Sequence, residues 1–474
     1  MDEDLSALID GDDFVSAEQQ REAEAQRRRE ARRKRLQHVQ ADSGGGADVA
    51  FPQPSRKRER TSEAAAVDNK EPSPTTMDQT VTAVYDMFSG DPSPEQAALT
   101  TATTTQRGHG QEDWDDSDGY YQAVIGEEIR WNDLVVRVDG LIGKGVFSTV
   151  LKCTTVQSES DLPSVVALKF VRHNETMEKA ADLEVQSLQK LNGSPGIVPL
   201  LLPQARAKLD YRGHVILVFP YMECNLRDVL HKFGKGVGLS LPAVRSYFQQ
   251  LLSALTHLET HGIIHADLKP DNILVDGANF SRVYIADFGS VIDGSHPPTP
   301  YLVSRYYRAP EIVLGLTPTS AIDLWSLAVT VAELFLGSVL FPGKSNNDML
   351  YVWMQHLGAL SNRLIRQHLA QCSRYPDVVQ QFAGSGGGNY VFWQQTHDPV
   401  TGEAVRRDLP LVVGVTRREF PSATPLVPKL LKAKSADDSR ATVQQFGDLL
   451  TQCLAFDPSR RIGLPAALQH AFFG

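Results

Sequence analysis

The chain has 474 residues, 42% hydrophobic and 22% charged, with a formal net charge of −10 at neutral pH. That length leaves room for a large core, and the composition excludes a chain that is disordered throughout. The acidic balance argues against bulk nucleic-acid binding by the whole chain, though not by a local basic patch.

The start, "MDEDLSALIDGDD", is acidic and does not read as a signal peptide. Residues 1–110 are rich in Ala, Ser, Thr, Gln, Glu and Arg and poor in aromatics, which predicts a disordered region. Within it, "REAEAQRRREARRKRLQHVQ" is a basic run of helix formers without an apolar face to dock it, and "SRKRER" (Ser55 to Arg60) is a second basic run. Two readings stay open for these runs: a solvated charged segment, or a nuclear import signal or nucleic-acid contact. Ser73-Pro74 and Ser93-Pro94 sit in linker-like sequence.

The texture changes near Trp131. "WNDLVVRVDGLIGKGVFSTVLKCTTV" and "SVVALKFVRH" are strand-rich with turn residues between them. "ETMEKAADLEVQSLQKLN" predicts a helix with Leu188 and Leu191 on one face, and "GHVILVFPYM" another strand. Helices dominate from about Leu226: "LPAVRSYFQQLLSALTHLETHG", the stretch around Asp323, and "TVQQFGDLLTQCLAF". The apolar stretch "AIDLWSLAVTVAELFLGSVLFPG" is interrupted by Asp323 and Glu333, which favours a buried helix over a membrane span. The cysteines Cys153, Cys224, Cys372 and Cys453 form no CxxC pair, which fits a reducing compartment and no zinc site. A small β-rich half followed by a larger helical half predicts an α+β, two-lobed fold with a ligand cleft between the lobes.

The candidate chemistry falls in chain order. "GKGVFSTV", from Gly143, places Gly143 and Gly145 between two strands, where backbone N–H groups can approach phosphates; Ser148 takes the place of a third glycine. Lys169 in "VALKF" is a lysine among apolar strand neighbours, suited to nucleotide α- and β-phosphates and to a helix carboxylate. Of Glu178 and Glu184, Glu184 is the better partner because Leu188, one turn later, packs inward on the same face. "HADLKPDN" offers Asp267 to position a substrate hydroxyl, Lys269 to contact the transferring phosphate and Asn272 to hold Mg²⁺. "ADFGS" offers Asp287 as the second metal-holding residue. Further on stand Glu311 in "APE", Asp323 in "DLWS", to hold the catalytic-loop backbone, and Arg461 in "DPSRRIG", to pair with Glu311. Each has a bland alternative as an ordinary surface charge; their joint appearance in this order does not.

These motifs resemble the eukaryotic protein kinases over roughly Val135 to the C-terminus. "SRYYRAPE" and "LFPGKSNNDMLYVWMQHLG" resemble the CMGC group. "DWDDSDGYYQAVIGEEI", "NLRDVLHKFGKGVGL", "HADLKPDNILV" and "PYLVSRYYRAPEIVLG" are similar to the pre-mRNA-processing factor 4 kinase family in the dual-specificity, tyrosine-regulated branch. The resemblance implies a family-specific segment at 111–134 and a kinase domain at 135–474, with a small lobe to about 224. It implies ATP and Mg²⁺ as cofactors, and a nucleotide site built from Ile142, Gly143, Lys144, Gly145, Val150, Ala167, Lys169, Glu184, Phe219, Met222 and Leu274. It implies serine/threonine phosphorylation of spliceosomal tri-snRNP proteins in the nucleus, a monomeric kinase domain with no membrane association, and autophosphorylation on Tyr301, with Arg305 or Arg308 receiving the phosphate. Pro220 stands where the family has an acidic residue, but an adenine contact there uses the carbonyl, which proline keeps. Ala266 replaces the usual arginine, which predicts an active enzyme with altered regulation. The alternative is a pseudokinase scaffold, which such loops serve when a catalytic group is missing. Residues 376–440 diverge, and "HDPVTG" predicts the turn of a surface hairpin.

Overall fold

The computed structural model describes residues 114–474, except 133, 159–160, 203–207, 235, 278–279, 295–300, 398–403 and 412–424. The basic runs, the Ser-Pro pairs and the rest of residues 1–110 lie outside the described residues.

The smaller lobe is a six-stranded antiparallel sheet in the order β1-β2-β3-β4-β6-β5. Its strands are β1 Glu128–Trp131, β2 Leu134–Lys144, β3 Ser148–Gln157, β4 Val165–Val171, β5 Leu209–Tyr211 and β6 His214–Pro220. Alternate residues Val136, Val138, Leu151, Cys153, Val166, Leu168, Phe170, Ile216 and Val218 form one buried cluster. That alternation fixes the register, because a slip of one residue would turn the whole set outward. Tyr121 and Ile129 belong to the same cluster, and Trp131 pairs with Leu134 across the first hairpin. The segment ahead of the expected boundary at 135 is therefore built into the small lobe from Trp114 onward.

Helix α1, Glu175–Lys190, follows β4. Asn174 caps it by accepting the N–H of Thr176, and Met177, Ala181, Glu184, Val185 and Leu188 are buried along one face. The larger lobe contains α2 Leu241–Thr260, α3 Ala321–Leu336, α4 Asn346–Leu357, α5 Asn362–Arg374, α6 Leu426–Ala433 and α7 Arg440–Cys453. Every residue of α3 from Ile322 to Leu336 is buried, so it is the central post of the lobe and lacks a polar face for that reason. It stops at Gly337, whose φ is +72°; a Cβ there would lie 2.5 Å from the amide nitrogen of Gly238. No helix of the described residues is long and apolar enough to cross a membrane.

A small antiparallel sheet, β7 Cys224–Asn225, β8 Ile273–Val275 and β9 Val283–Ile285, lies where the lobes meet. It carries the loop 265–272 into β8 and delivers Asp287 just past β9.

The divergent segment contains the hairpin expected around "HDPVTG", with Thr396 paired to Val405, and adds a third strand to it. It forms a three-stranded antiparallel sheet, β10 Phe382–Gly386, β11 Asn389–His397 and β12 Ala404–Leu411. Phe382, Phe392 and Leu411 are buried in the main core, so its inner face is structural and not merely superficial. Asn347 of α4 fastens it, donating to Gln381 Oε1 and the Trp393 carbonyl and accepting the Gln395 N–H.

Candidate active site

The glycine-bearing turn joins β2 to β3, and the register aligns Gly143 with Val150 and Val150 with Lys169. In β4, Val166, Leu168 and Phe170 face the small-lobe core, while Ala167 joins the cluster that continues into the large lobe. The two-residue period therefore turns Lys169 to the same side as Ala167, toward the cleft. Ala167 pairs with Phe219 of β6, and Leu274 of β8 pairs with Asn225. Val150, Met222 and Leu274 are half-buried against the main core, and Ile142 is exposed at the rim. Val150, the partner of Lys169, and Ala167, two residues before it, thus flank the lysine with apolar surface.

Lys169 is buried, and its Nζ lies 2.8 Å from both carboxylate oxygens of Glu184 and 2.7 Å from Asp287 Oδ1. Burial opposes a charged lysine, but the Asp287 and Glu184 carboxylates outweigh it and raise the ammonium above its usual range. Burial likewise opposes the Asp287 carboxylate, and Lys169 overrides it, holding the group at about 2. Glu184 is shifted the other way, pushed up by burial with Asp287 adding to it. One ammonium between two carboxylates favours the ionisation of one over the other. Asp287 has φ 62°, in the left-handed region, and the following Phe288 is fully buried with its ring edge-on to His265 at 5.0 Å.

The loop 265–272 is held from below. Asp323, buried in α3, accepts the N–H groups of His265 at 2.7 Å and Ala266 at 3.0 Å. Asp267 Oδ2 accepts from Lys269 Nζ at 2.8 Å and from Asn272 Nδ2 at 3.0 Å. Asn272 Nδ2 also donates to the Asp267 carbonyl, which orients the amide and leaves its Oδ1, a hard oxygen, as the atom to offer a cation. Asn272 and Asp287 thus have the donor chemistry that a Mg²⁺ ion shared with phosphates requires.

Ser304, to which the sequence reading assigned no role, donates its hydroxyl to Asp267 Oδ1 at 2.7 Å and accepts from Lys269 at 3.0 Å. It places the segment from Tyr301 to Glu311, the activation segment, directly on the loop 265–272. Tyr301, Arg305 and Arg308 line one pocket of about 240 Å³ with Lys344, Asn346 and Gln381. Arg308 does not offer the open fork expected of it. It is buried, with Nε on the Leu302 and Val303 carbonyls, Nη1 on Asn346, and Nη2 on the Tyr301 and Val303 carbonyls. Its donors are spent folding the segment.

Glu311 and Arg461 meet as a bidentate pair at 2.8 and 2.9 Å, both fully buried. A second buried group is Glu333. It accepts from the Tyr307 hydroxyl at 2.6 Å and from Arg227, which also reaches Asp271 at 3.1 Å. A carboxylate inside an otherwise apolar helix is the sequence signal for such a partner, because an unpaired one would be too costly; the pattern does not say which residue supplies it.

The protein kinase domain family matches residues 136–473. The serine/threonine-protein kinase prp4 of Schizosaccharomyces pombe is 35% identical over 395 residues, covering 82% of this chain and 77% of that protein. The serine/threonine-protein kinase prpf4B of Dictyostelium discoideum is 34% identical over 407 residues, covering 82% of this chain but 47% of that protein. The dual specificity tyrosine-phosphorylation-regulated kinase 3 of Rattus norvegicus is 31% identical over 363 residues, covering 75% of this chain and 56% of that protein. The chain thus spans about half the length of the last two relatives.

Proposed function

This chain belongs to the protein kinase family, in the prp4 branch of serine/threonine kinases, and from that premise we propose that its cleft transfers the γ-phosphate of ATP to hydroxyls of spliceosomal tri-snRNP proteins in the nucleus. The observation that carries the catalytic part is the Lys169 ammonium, bound at once to Glu184 and Asp287 above an intact Asp267–Lys269–Asn272 cluster. Lys169, Glu184 and Asp287 meet in one cluster and Asp267, Lys269 and Asn272 in another, so the alternative of an inactive scaffold has no missing residue to rest on.

In this reading Lys169, steadied by Glu184, holds the α- and β-phosphates. The amides around Gly143, Lys144 and Gly145 cover them. The adenine lies in the slot of Ile142, Val150, Ala167, Phe219 and Leu274 and bonds to backbone groups near Met222. Asp287 and Asn272 would hold Mg²⁺, which would supply positive charge against that developing on the phosphates. Asp267 orients the acceptor hydroxyl for in-line attack, and Lys269 contacts the transferring group. Serine or threonine is the acceptor in substrates, and Tyr301 is modified on the chain itself. The substrate class rests on the names of the prp4-type relatives and on the basic runs as import signals.

Phosphate transfer to a generic basic protein, with and without Mg²⁺, tests the catalytic part. Wild type should be active only with the metal, and Asp287→Asn should lose at least a hundredfold, as expected when a metal-holding carboxylate is removed from such a site. Equal signal from both proteins refutes it. Capture of the intact protein from nuclear extract, followed by mass spectrometry, tests the substrate class; an absence of spliceosomal proteins counts against it.

A further inference from the structure

The turn 115–121 lies ahead of the family-matched domain, yet two of its side chains reach the glycine-bearing loop. Asp116 Oδ1 accepts the N–H groups of Asp118 and Tyr120, each at 3.0 Å, which closes the turn on itself. Its Oδ2 then accepts from Lys144 Nζ at 2.7 Å. The Tyr120 hydroxyl donates to the Val146 carbonyl at 2.9 Å, and the Tyr120 ring lies under the Lys144 ammonium at 4.0 Å. The loop is thus gripped on both sides of Gly145.

The grip has a fixed base. Gly119, at φ +81°, accepts the His173 N–H on its carbonyl at 2.8 Å; a Cβ there would lie 3.0 Å from the His173 carbonyl oxygen. Tyr121 stacks on Phe170 of β4 at 4.5 Å, and its hydroxyl donates to Glu127 at 2.7 Å. Asp115 lies 2.6 Å from the Nε2 of the buried His214. The turn is bound to the central strands, whereas the loop it holds contains two glycines, and a Cβ on Gly143 would meet nothing within 4 Å.

We infer that Asp116 and Tyr120 are positioning residues for nucleotide phosphates: they hold the loop at the height and peptide orientation that phosphate binding needs. The inference rests on the reading of that loop as the phosphate cradle. An untethered glycine loop loses backbone freedom when it closes on a ligand, at about 1–2 kcal/mol per residue ordered. Pinning Lys144 and Val146 beforehand removes part of that penalty. In the planar peptide after Val146, C=O and N–H point oppositely, so turning the carbonyl onto Tyr120 turns the Phe147 N–H away from it. That fixes the direction of one loop amide before the nucleotide arrives.

The test uses the full chain with Tyr120→Phe and Asp116→Asn, singly and together. Phenylalanine keeps the ring under Lys144 and loses only the hydroxyl; asparagine can still close the turn while losing the charge. Affinities for ATP and for adenosine are measured by calorimetry, and KM for ATP and kcat by phosphate transfer. Each variant should raise the Kd and KM for ATP about three- to tenfold, the effect of one lost hydrogen bond or ion pair. Adenosine affinity should be unchanged and kcat at saturating ATP should stay within about twofold. The ratio of ATP to adenosine affinity is read on folded protein alone, so a loss of stability does not mimic the effect. Unchanged ATP affinity, or equal weakening of both ligands, overturns the inference. An active wild type with indifferent variants removes the grip alone; a wild type that binds no ATP removes the reading of the cleft with it.

Discussion

Ala266 donates its N–H to Asp323 Oδ1 at 3.0 Å while its own φ is 61°, a conformation that costs an alanine about 1 kcal/mol or more. The strained residue persists because Asp323 holds the amides on both sides of the peptide before it, at His265 and Ala266. Both partners are buried. Asp323→Ala leaves two buried N–H groups unpaired, at about 1–3 kcal/mol each. It should lower stability by roughly 2–4 kcal/mol in urea titration, and phosphate transfer should fall even where the protein is still folded. A variant with wild-type stability would show that the strained loop is held by something else.

The Lys169–Asp287 pair makes a pH prediction. A carboxylate depressed by folding contributes stability above its unfolded value of about 4 and loses it as pH falls through its folded value. For Asp287 that loss runs from about 4 down to about 2. Lys169 is raised, so its contribution is present below about 10.4 and fades only as pH climbs beyond that toward its folded value. Neither group titrates near neutrality. The stability difference between wild type and Asp287→Asn should therefore be flat from pH 7 to about 4 and close below it. Closure between pH 5 and 7 contradicts the assignment.

Much of this was readable from sequence because the elements alternate strictly: Val166, Leu168 and Phe170 face one way, Ala167 and Lys169 the other. Helical spacing against Leu188 selects Glu184 over Glu178, and that carboxylate lies on Lys169. What stayed hidden depends on contacts between distant segments. The Ser304 contact with Asp267 needs the activation segment folded back by Arg308, and a local motif cannot show that an arginine's donors are already taken. The third strand of the sheet β10–β12 was illegible because β10 runs into a glycine stretch; Phe382, Phe392 and Leu411 tie the sheet inward, together with Asn347 bonded to Gln381, Trp393 and Gln395.

Arg461 and Glu311 test the brace of the large lobe. The pair is bidentate and desolvated, and Arg461 also reaches the Ala321 carbonyl at the start of α3. Removing one partner strands a buried charge, at about 3–5 kcal/mol. Arg461→Ala and Glu311→Ala should each lose roughly that much, and the double variant clearly less than the sum. Additive losses in the cycle would mean that the two side chains do not act as a pair.

Val303 adds a specificity prediction. Its φ of 69° turns the backbone, and its carbonyl is taken by Arg308 Nε and Nη2 at 3.1 and 2.8 Å. The next residue, Ser304, touches Asp267, so Val303 lies beside the place of the acceptor hydroxyl. A substrate residue whose N–H approached the Val303 carbonyl would find it already bonded twice by Arg308. Proline has no N–H to leave unpaired. Peptides with Ser-Pro should exceed matched Ser-Ala peptides in kcat/KM by about tenfold, from an unpaired group worth about 1–3 kcal/mol. Equal rates would show that water or another acceptor serves the N–H.

Arg308 also redirects the prediction for Tyr301. A phosphate on that tyrosine adds about −1.5 to −2 charge and strong acceptors. Arg308 already bonds the Tyr301 carbonyl at 3.1 Å, along with the Leu302 and Val303 carbonyls and Asn346, so it fixes the tyrosine's backbone instead of waiting for its phosphate. Arg305 and Lys344 line the same pocket, where their charges would answer a phosphate carried by Tyr301. The usual second anchor, an arginine ahead of Asp267, is absent because Ala266 stands in its place. Arg305→Gln should therefore abolish the gain in activity that accompanies Tyr301 phosphorylation, at equal phosphate occupancy by mass spectrometry. Arg308→Gln should lower activity whether or not Tyr301 is phosphorylated, because it unfastens the segment. If Arg305→Gln keeps the full gain at matched occupancy, the phosphate is held elsewhere.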